Sequence, residues 1–537
     1  MLKTDTMSEA LTKYDVIIIG SGVGGLTAGV TLQTLKPELK TLILEQHNAP
    51  GGYISGFKRK GYYFDSGAEG LVFAGEKQNF RKAIDGLGIK IEYLPIDPLE
   101  VLHYEDKTIS MYPDPDKYQQ ELVRNFPDSE QDIIKFFEII SAVQKEFESS
   151  VKEGLNPTFK EYLKIAFRGP TLRKLSLKSY KKFLDESFSN PDLKNILSIY
   201  SLWFGVPPED YQASSGAISF FSPIYNGHYY PKGGMFAFAE SLAESFVNRG
   251  GEILYKKRVS QILVKRRKAV GVKLSDGTVI HGNWIISNAD LKRTVFEYVN
   301  SKKFPNAYLG KVLKKDQSVS GFSVFLGLDK ELKGYPSHMA YNVKAEEYMK
   351  RTLEGIYDPQ EVLIRIPSEI DSDLLNEGKS SVILLSFAPY NWEKKWNSSN
   401  PEKYKETKEK YANKLIELAE NVIPDLSKHI ALKMVSTPMT YEKFSLNTQG
   451  AWYGPKWGGL NIKIQPPIRK LYLAGANIAG PGVPPGFFSG MKIAKHLSKR
   501  IKPWQRTFRV LFPIISYLTN KSKMRVLTNP AKFKFRN

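Results

Sequence analysis

Residues 14–36, YDVIIIGSGVGGLTAGVTLQTLK, and 41–57, TLILEQHNAPGGYISGF, decide the fold. Val16 to Ile19 is a short β-branched run bounded by glycine, the pattern of a buried parallel strand. It runs into Gly20-Ser21-Gly22-Val23-Gly24-Gly25. In such a loop Gly20 permits the tight turn, Gly22 lets a pyrophosphate approach the backbone, and Gly25 lets the following helix pack on the strand. The phosphates then face a helix N-terminus, where free N–H groups and the dipole favour negative charge. Thr41 to Leu44 reads as the second strand, and Glu45 follows Gly25 by 20 residues. That is the spacing of the acid that holds a ribose hydroxyl pair, and an acid there argues against a 2′-phosphorylated nucleotide. The order strand, glycines, helix, strand, acid specifies a dinucleotide-binding unit and leaves open whether it takes FAD or NAD.

The following residues resolve that choice by resemblance. Gly51-Gly52, then KGYYFDSG over residues 60–67, give a PGG…GF…GY.FD.G pattern similar to the flavoprotein superfamily of carotenoid desaturases, carotenoid isomerases, retinol saturases and amine oxidases. Within it, IIGSGVGGL and PGGYISGFKRKGYYFDSG most resemble carotenoid isomerases. The resemblance implies an α/β fold: a Rossmann-like FAD-binding domain of the glutathione reductase/amine oxidase type, an interleaved substrate-binding domain, and a helical, membrane-facing cap. The implied FAD-binding segments are 14–89, 230–310 and 436–498, after a polar leader at 1–13. Residues 90–229 would form the inserted substrate and cap region, 311–435 the substrate-binding domain, and 499–537 a basic membrane-associating tail.

The implied FAD contacts are Gly20, Gly22, Val23, Gly24 and Gly25; Glu45 and Gln46; Gly51, Gly52, Tyr53 and Gly67; Val259, whose backbone would meet the adenine; Asn288 in the closing S-N-A strand; and Gly475, Ala476, Gly482 and Val483. The segment from Tyr230 (YYPKGGM) resembles the family's Y-P-x-G-G-M helix start. Thr437-Pro438 and Gly450 to Gly454 resemble a TP…G..YG stretch beside the isoalloxazine. LYLAGANIAGPGVPPGFFSGMKIA, from Leu471, reads as a strand, a Pro/Gly turn at 480–486 and a helix from Phe488. The chain departs from the family at two places. Tyr53 stands where most relatives have Arg, so one cation near the diphosphate is missing or comes from elsewhere. Ala476 and Asn477 stand where many flavoproteins place an Asp on the ribityl chain.

Composition narrows the remaining classes. The 537 residues, 42% hydrophobic, allow two or three domains with a large core. There is no cysteine, which excludes disulfides, thiolate catalysis and Cys-ligated metal and fits a reducing compartment. The seven histidines show no metal-ligand spacing, so no metal is expected. With 77 basic against 56 acidic residues the formal net charge is +21, pointing to a polyanionic partner or surface. No nucleic-acid-binding signature is present, so an anionic membrane surface is favoured over nucleic acid. No apolar h-region precedes the first strand and no run reaches the ~18–20 apolar residues of a span. The expected location is cytoplasmic with peripheral membrane contact. Two stretches carry that expectation. Residues 160–183 hold eight Lys or Arg and one Glu among apolar residues, and 499–537 hold eleven basic residues and no acid. A solvated helix face and a disordered basic tail are the plainer alternatives.

Runs such as GFSVFLGL, from Gly321, and SSVILLSFAPY, from Ser380, read as strands of a substrate-side sheet, and 402–423 as a charged amphipathic helix. Arg365 and Glu369 read as structural. No catalytic acid or base stands out. The functional expectation is an FAD oxidoreductase desaturating, saturating or isomerising a polyene isoprenoid, with quinone or oxygen as candidate electron acceptors. An amine oxidase-like or protoporphyrinogen oxidase-like enzyme is the alternative. A prenyl-lipid escort of the GDP-dissociation-inhibitor type is the non-enzyme alternative, against which Glu45 and Gly51-Gly52 speak.

Overall fold

The computed structural model describes residues 13–150, 169–375, 377–456 and 462–501. Two seven-stranded sheets dominate it. In the first, strand Lys13–Ile19 lies between Thr41–Leu44 and Val279–Ser287, parallel to both, with Glu252–Leu254 beyond Thr41–Leu44. Leu471–Leu473 pairs in parallel with the end of Val279–Ser287, to which the antiparallel hairpin Val259–Lys265/Lys268–Leu274 is also attached. The sheet thus draws on three distant parts of the chain. Val16, Ile17 and Ile18 are fully buried, as a strand covered on both faces requires.

Helix Val23–Leu35, which follows the first strand, packs along helix Val483–Ser498 near the end of the described chain. The approach is backbone to backbone. A Cβ at Gly490 would come within 2.2 Å of the Gly24 carbonyl oxygen and 2.8 Å of the Ala28 nitrogen. The second of these helices begins at Val483, five residues before the expected Phe488. Pro484 and Pro485 sit in its first turn, where no N–H is needed and a fixed φ is favourable, so the prolines initiate the helix they were read as preceding.

The second sheet runs in the order Ile430–Ser436, Ser320–Leu328, Ser380–Ala388, Val362–Arg365, His338–Tyr341, Glu100–Tyr104, Lys107–Met111. Every residue of Ser320–Leu328 and Ser380–Ala388 is buried, and the period of two explains how. Phe322, Val324 and Leu326 face helix Pro401–Glu420 through Leu415 and Ile416. Phe325 turns the other way, onto Tyr62 and Phe64 of the hairpin Gly56–Arg59/Tyr62–Asp65.

Six helices lie between Pro115 and Asn226 among the described residues, and they form the cap. Its centre is aromatic. The Phe136 ring stands edge-on to Phe220 at 5.1 Å and stacks on Phe183 at 5.5 Å. Phe220 in turn meets Tyr200 at 4.8 Å. Each such fully buried side chain contributes roughly 1.5–3 kcal/mol, so this layer holds the cap together without an ionic core.

Candidate functional site

A cavity of about 1070 Å³ runs through the interior. At one end its wall is mostly bare backbone: Gly20, Gly22 and Gly24 of the first loop, Gly51 and Gly52, and Gly475 and Gly482. Gly20 has φ +87°, the left-handed turn that sends the strand into the helix. The Asn288 amide sits between these segments. A Cβ on Gly22 would lie 2.9 Å from its Nδ2, and one on Gly24 2.6 Å from its Oδ1. Asn288 N–H donates to the Ile19 carbonyl at 2.9 Å, which fixes the residue at the tip of the strand. Glu45, buried at the end of Thr41–Leu44, accepts through Oε2 from Ser21 N (2.8 Å) and Ser21 Oγ (2.7 Å), and through Oε1 from His47 N (2.9 Å). A carboxylate has about four acceptor positions, so capacity remains for a ribose hydroxyl.

Of the residues read from the sequence, Gly20, Gly22, Val23, Gly24, Glu45, Gln46, Gly51, Gly52, Tyr53, Gly67, Val259, Asn288, Gly475, Ala476, Gly482 and Val483 all line this cavity. Gly25 does not. Its place is against the Gly20 carbonyl, where it closes the helix onto the strand.

The other end of the cavity is apolar and aromatic. It is walled by Ile199, Leu202, Trp203 and Phe204 of the cap and by Phe387 and Leu385 of the second sheet. Within this wall lies one charged cluster. Arg365 Nε donates to Glu69 at 2.6 Å, and Nη1 and Nη2 donate to the Glu100 carboxylate at 2.8 and 3.1 Å. Arg365 and Glu100 are 5% and 2% exposed, so the pair is truly interior. Burial pushes the Glu100 carboxyl up to about 6 even with the guanidinium beside it. Arg365, read as structural from the sequence, is therefore also part of the cavity wall. Its partners lie 265 and 296 residues away, so no local pattern signals the cluster.

The model of the flavin containing amine oxidoreductase family matches residues 23–497. The chain belongs to that family. It is an FAD-dependent oxidoreductase with the family's α/β fold, and the glycine-lined cradle closed by Glu45 fits that cofactor. Similar curated proteins include the chloroplastic prolycopene isomerase of Arabidopsis thaliana, 29% identical over 91% of this chain and 83% of the relative. The all-trans-retinol 13,14-reductase of Danio rerio is 27% identical over 86% of this chain and 82% of its own length. The 4,4'-diapophytoene desaturase (4,4'-diapolycopene-forming) of Methylomonas sp is 25% identical over 89% and 92%.

The two departures from the flavin containing amine oxidoreductase pattern have structural counterparts. Tyr53 is half-buried with its hydroxyl turned inward: Oη donates to the Ala451 carbonyl at 3.0 Å, and burial pushes it up to about 12. It is a neutral anchor, and the basic residues at this end of the cavity are Lys257 and Arg258, next to Val259. Asn477 lines the cavity with its amide already engaged: Oδ1 accepts from Leu291 N and Nδ2 donates to the Ala289 carbonyl. Two contributors were not legible in the sequence: Ser21, which orients Glu45, and His47, which together with Gln46 reaches the Phe444 carbonyl, at 2.6 and 2.8 Å.

Proposed function

We propose that this oxidoreductase acts on a long apolar isoprenoid polyene, by desaturation, saturation or cis–trans isomerisation. The observation that carries the reading is one continuous cavity, glycine-lined in one part and aromatic and aliphatic in another. Such a wall binds by removing apolar area from water, at roughly 25 cal/mol per Å², and an extended polyene offers far more of that area than a compact amine. The names of the relatives, an isomerase, a retinol reductase and a desaturase, support it. Bound FAD supplies hydride exchange at its flavin N5. The chain's own part is to hold the nucleotide at Glu45 and the glycines, align the polyene along the cap, and keep water out with Trp203, Phe204 and Phe387. The seventeen residues named from the sequence, including Gly25 as the packing residue, are the proposed FAD set. Quinone or oxygen is the proposed electron acceptor.

The polyene would enter from an anionic membrane surface through the cap. Leu172 and Ser176 line the cavity, and Leu177, next in the chain, is 85% exposed. Part of the basic character of this corner is internal, since Lys178 pairs with Glu186 and Lys181 with Glu346. The remainder of the first basic stretch, 160–168, lies outside the described residues, as does the tail from Lys502 on. Among the described residues no helix is long and apolar enough to cross a membrane.

The test is optical. Anaerobic mixing with phytoene, a carotene or retinol in liposomes should bleach oxidised flavin or, from reduced flavin, change the polyene spectrum. No change with any isoprenoid, together with bleaching by a water-soluble amine or porphyrinogen, would overturn the reading.

A further inference from the structure

Strands Glu100–Tyr104, His338–Tyr341 and Val362–Arg365 are neighbours in the second sheet, and the register sets His338 opposite Arg365. Glu69, Glu100, His228, His338 and Arg365 all line the cavity. Both imidazoles are neutral: burial, with the repulsion of Arg365, brings His228 down to about 4 and His338 well below the usual range. Two carboxylates therefore face one guanidinium, a formal excess of one negative charge in the wall. Arg365 is engaged at Nε, Nη1 and Nη2, with Glu69, Glu100 and the Met339 and Ile364 carbonyls. His338 Nδ1 is paired with Ser337 Oγ at 3.0 Å, whereas its Nε2 is buried with no hydrogen-bond partner among the described residues.

A hydrocarbon filling this part of the cavity would leave the Nε2 unsatisfied, at the cost of a buried polar group without a bond. A carboxylate would meet net negative charge and a guanidinium already occupied. A hydroxyl suits the wall: with Nδ1 on Ser337 Oγ and both carboxylates taken up by Arg365, the free Nε2 is an acceptor that an O–H can meet and an ether oxygen cannot.

We propose that the Glu69–Glu100–Arg365–His338 cluster recognises a hydroxyl group on the substrate, so that the preferred substrate is a polyene alcohol rather than a polyene hydrocarbon or acid. The inference rests on the polyene reading and sharpens it. Sites built to bond a hydroxyl discriminate strongly against analogues lacking it, because their own polar groups are left unpaired.

The experiment uses the FAD-loaded enzyme and reads binding by quenching of tryptophan fluorescence. The probes are retinol, its methyl ether, retinoic acid and the hydrocarbon with the same polyene and a terminal methyl group. Retinol should bind about tenfold or more tightly than the other three. In His338→Phe, which fills the space with an apolar ring, that preference over the ether should vanish while the ether itself binds within about twofold of wild type. Equal affinity of the wild type for all four probes overturns the hydroxyl assignment and leaves the polyene reading standing. So does a preference that survives in His338→Phe. If none of the four binds while the flavin is retained, the polyene reading is wrong and this proposal falls with it. Should His338→Phe fail to hold flavin, the wild-type series alone decides.

Discussion

At Gly22 a single hydrogen atom separates a working cradle from an obstructed one. Any Cβ there comes within 2.9 Å of the Asn288 amide, on the side where the diphosphate would run. Gly22→Val should therefore be purified without flavin, losing its absorbance near 450 nm, and retention of stoichiometric FAD would contradict the assignment. Glu361 shows a second single-residue effect, of ionisation on stability. It is 2% exposed and paired with Arg351, yet burial raises it from 4.5 to about 7. A carboxyl raised in this way holds its proton more tightly in the fold than in the unfolded chain. Its contribution is fully present below about 4.5 and is lost as pH rises through about 7. Glu361→Gln lacks that loss. Denaturant titrations should show the variant gaining on wild type between pH 4.5 and 8, by up to about 2–3 kcal/mol. A constant difference across that range would rule the effect out.

Among the elements, the hairpin that ends in Asp65 packs on the second sheet through Tyr62 and Phe64 and is tied to a helix through one carboxylate. Asp65 accepts from Tyr63 Oη (2.7 Å), Tyr230 Oη (2.5 Å) and Met235 N (3.0 Å), joining the strand Tyr62–Asp65 to the helix Gly234–Asn248. Asp65→Ala leaves three buried donors without an acceptor and should lower the unfolding free energy by about 3 kcal/mol or more, measured by chemical denaturation. A loss under 1 kcal/mol would show that water or repacking satisfies them. The sequence disclosed these elements unevenly, for physical reasons. Strand Lys13–Ile19, helix Val23–Leu35 and Glu45 lie within one short βαβ unit, whose glycine spacing and β-branched run are local properties. The start of helix Val483–Ser498 was misread because a Pro-Pro pair both ends and begins helices. The Glu69–Glu100–Arg365 cluster was hidden altogether, since only the pairing of strands far apart in the chain brings it together.

On the scale of the whole molecule, charge and architecture act separately. The fold gathers its apolar residues into several core clusters, while eleven of the basic residues behind the formal +21 lie in the C-terminal stretch from Lys499. Each basic residue near an anionic bilayer contributes about 1 kcal/mol, so deletion of residues 500–537 should move the protein from the pellet to the supernatant of anionic liposomes, most visibly at low salt. Unchanged pelleting would assign any membrane contact to the cap.

The packing of helix Val23–Leu35 on helix Val483–Ser498 through Gly24 and Gly490 bears on biosynthesis. A ribosome adding roughly 5–20 residues per second needs tens of seconds to pass from one helix to the other. For the first part of that interval the first βαβ unit has its glycine loop without Asn288, and for nearly all of it without Gly475 or the helix that covers Gly24. Stable flavin capture should therefore await synthesis of the segment around Gly475, and until helix Val483–Ser498 is made one face of the first helix has no partner.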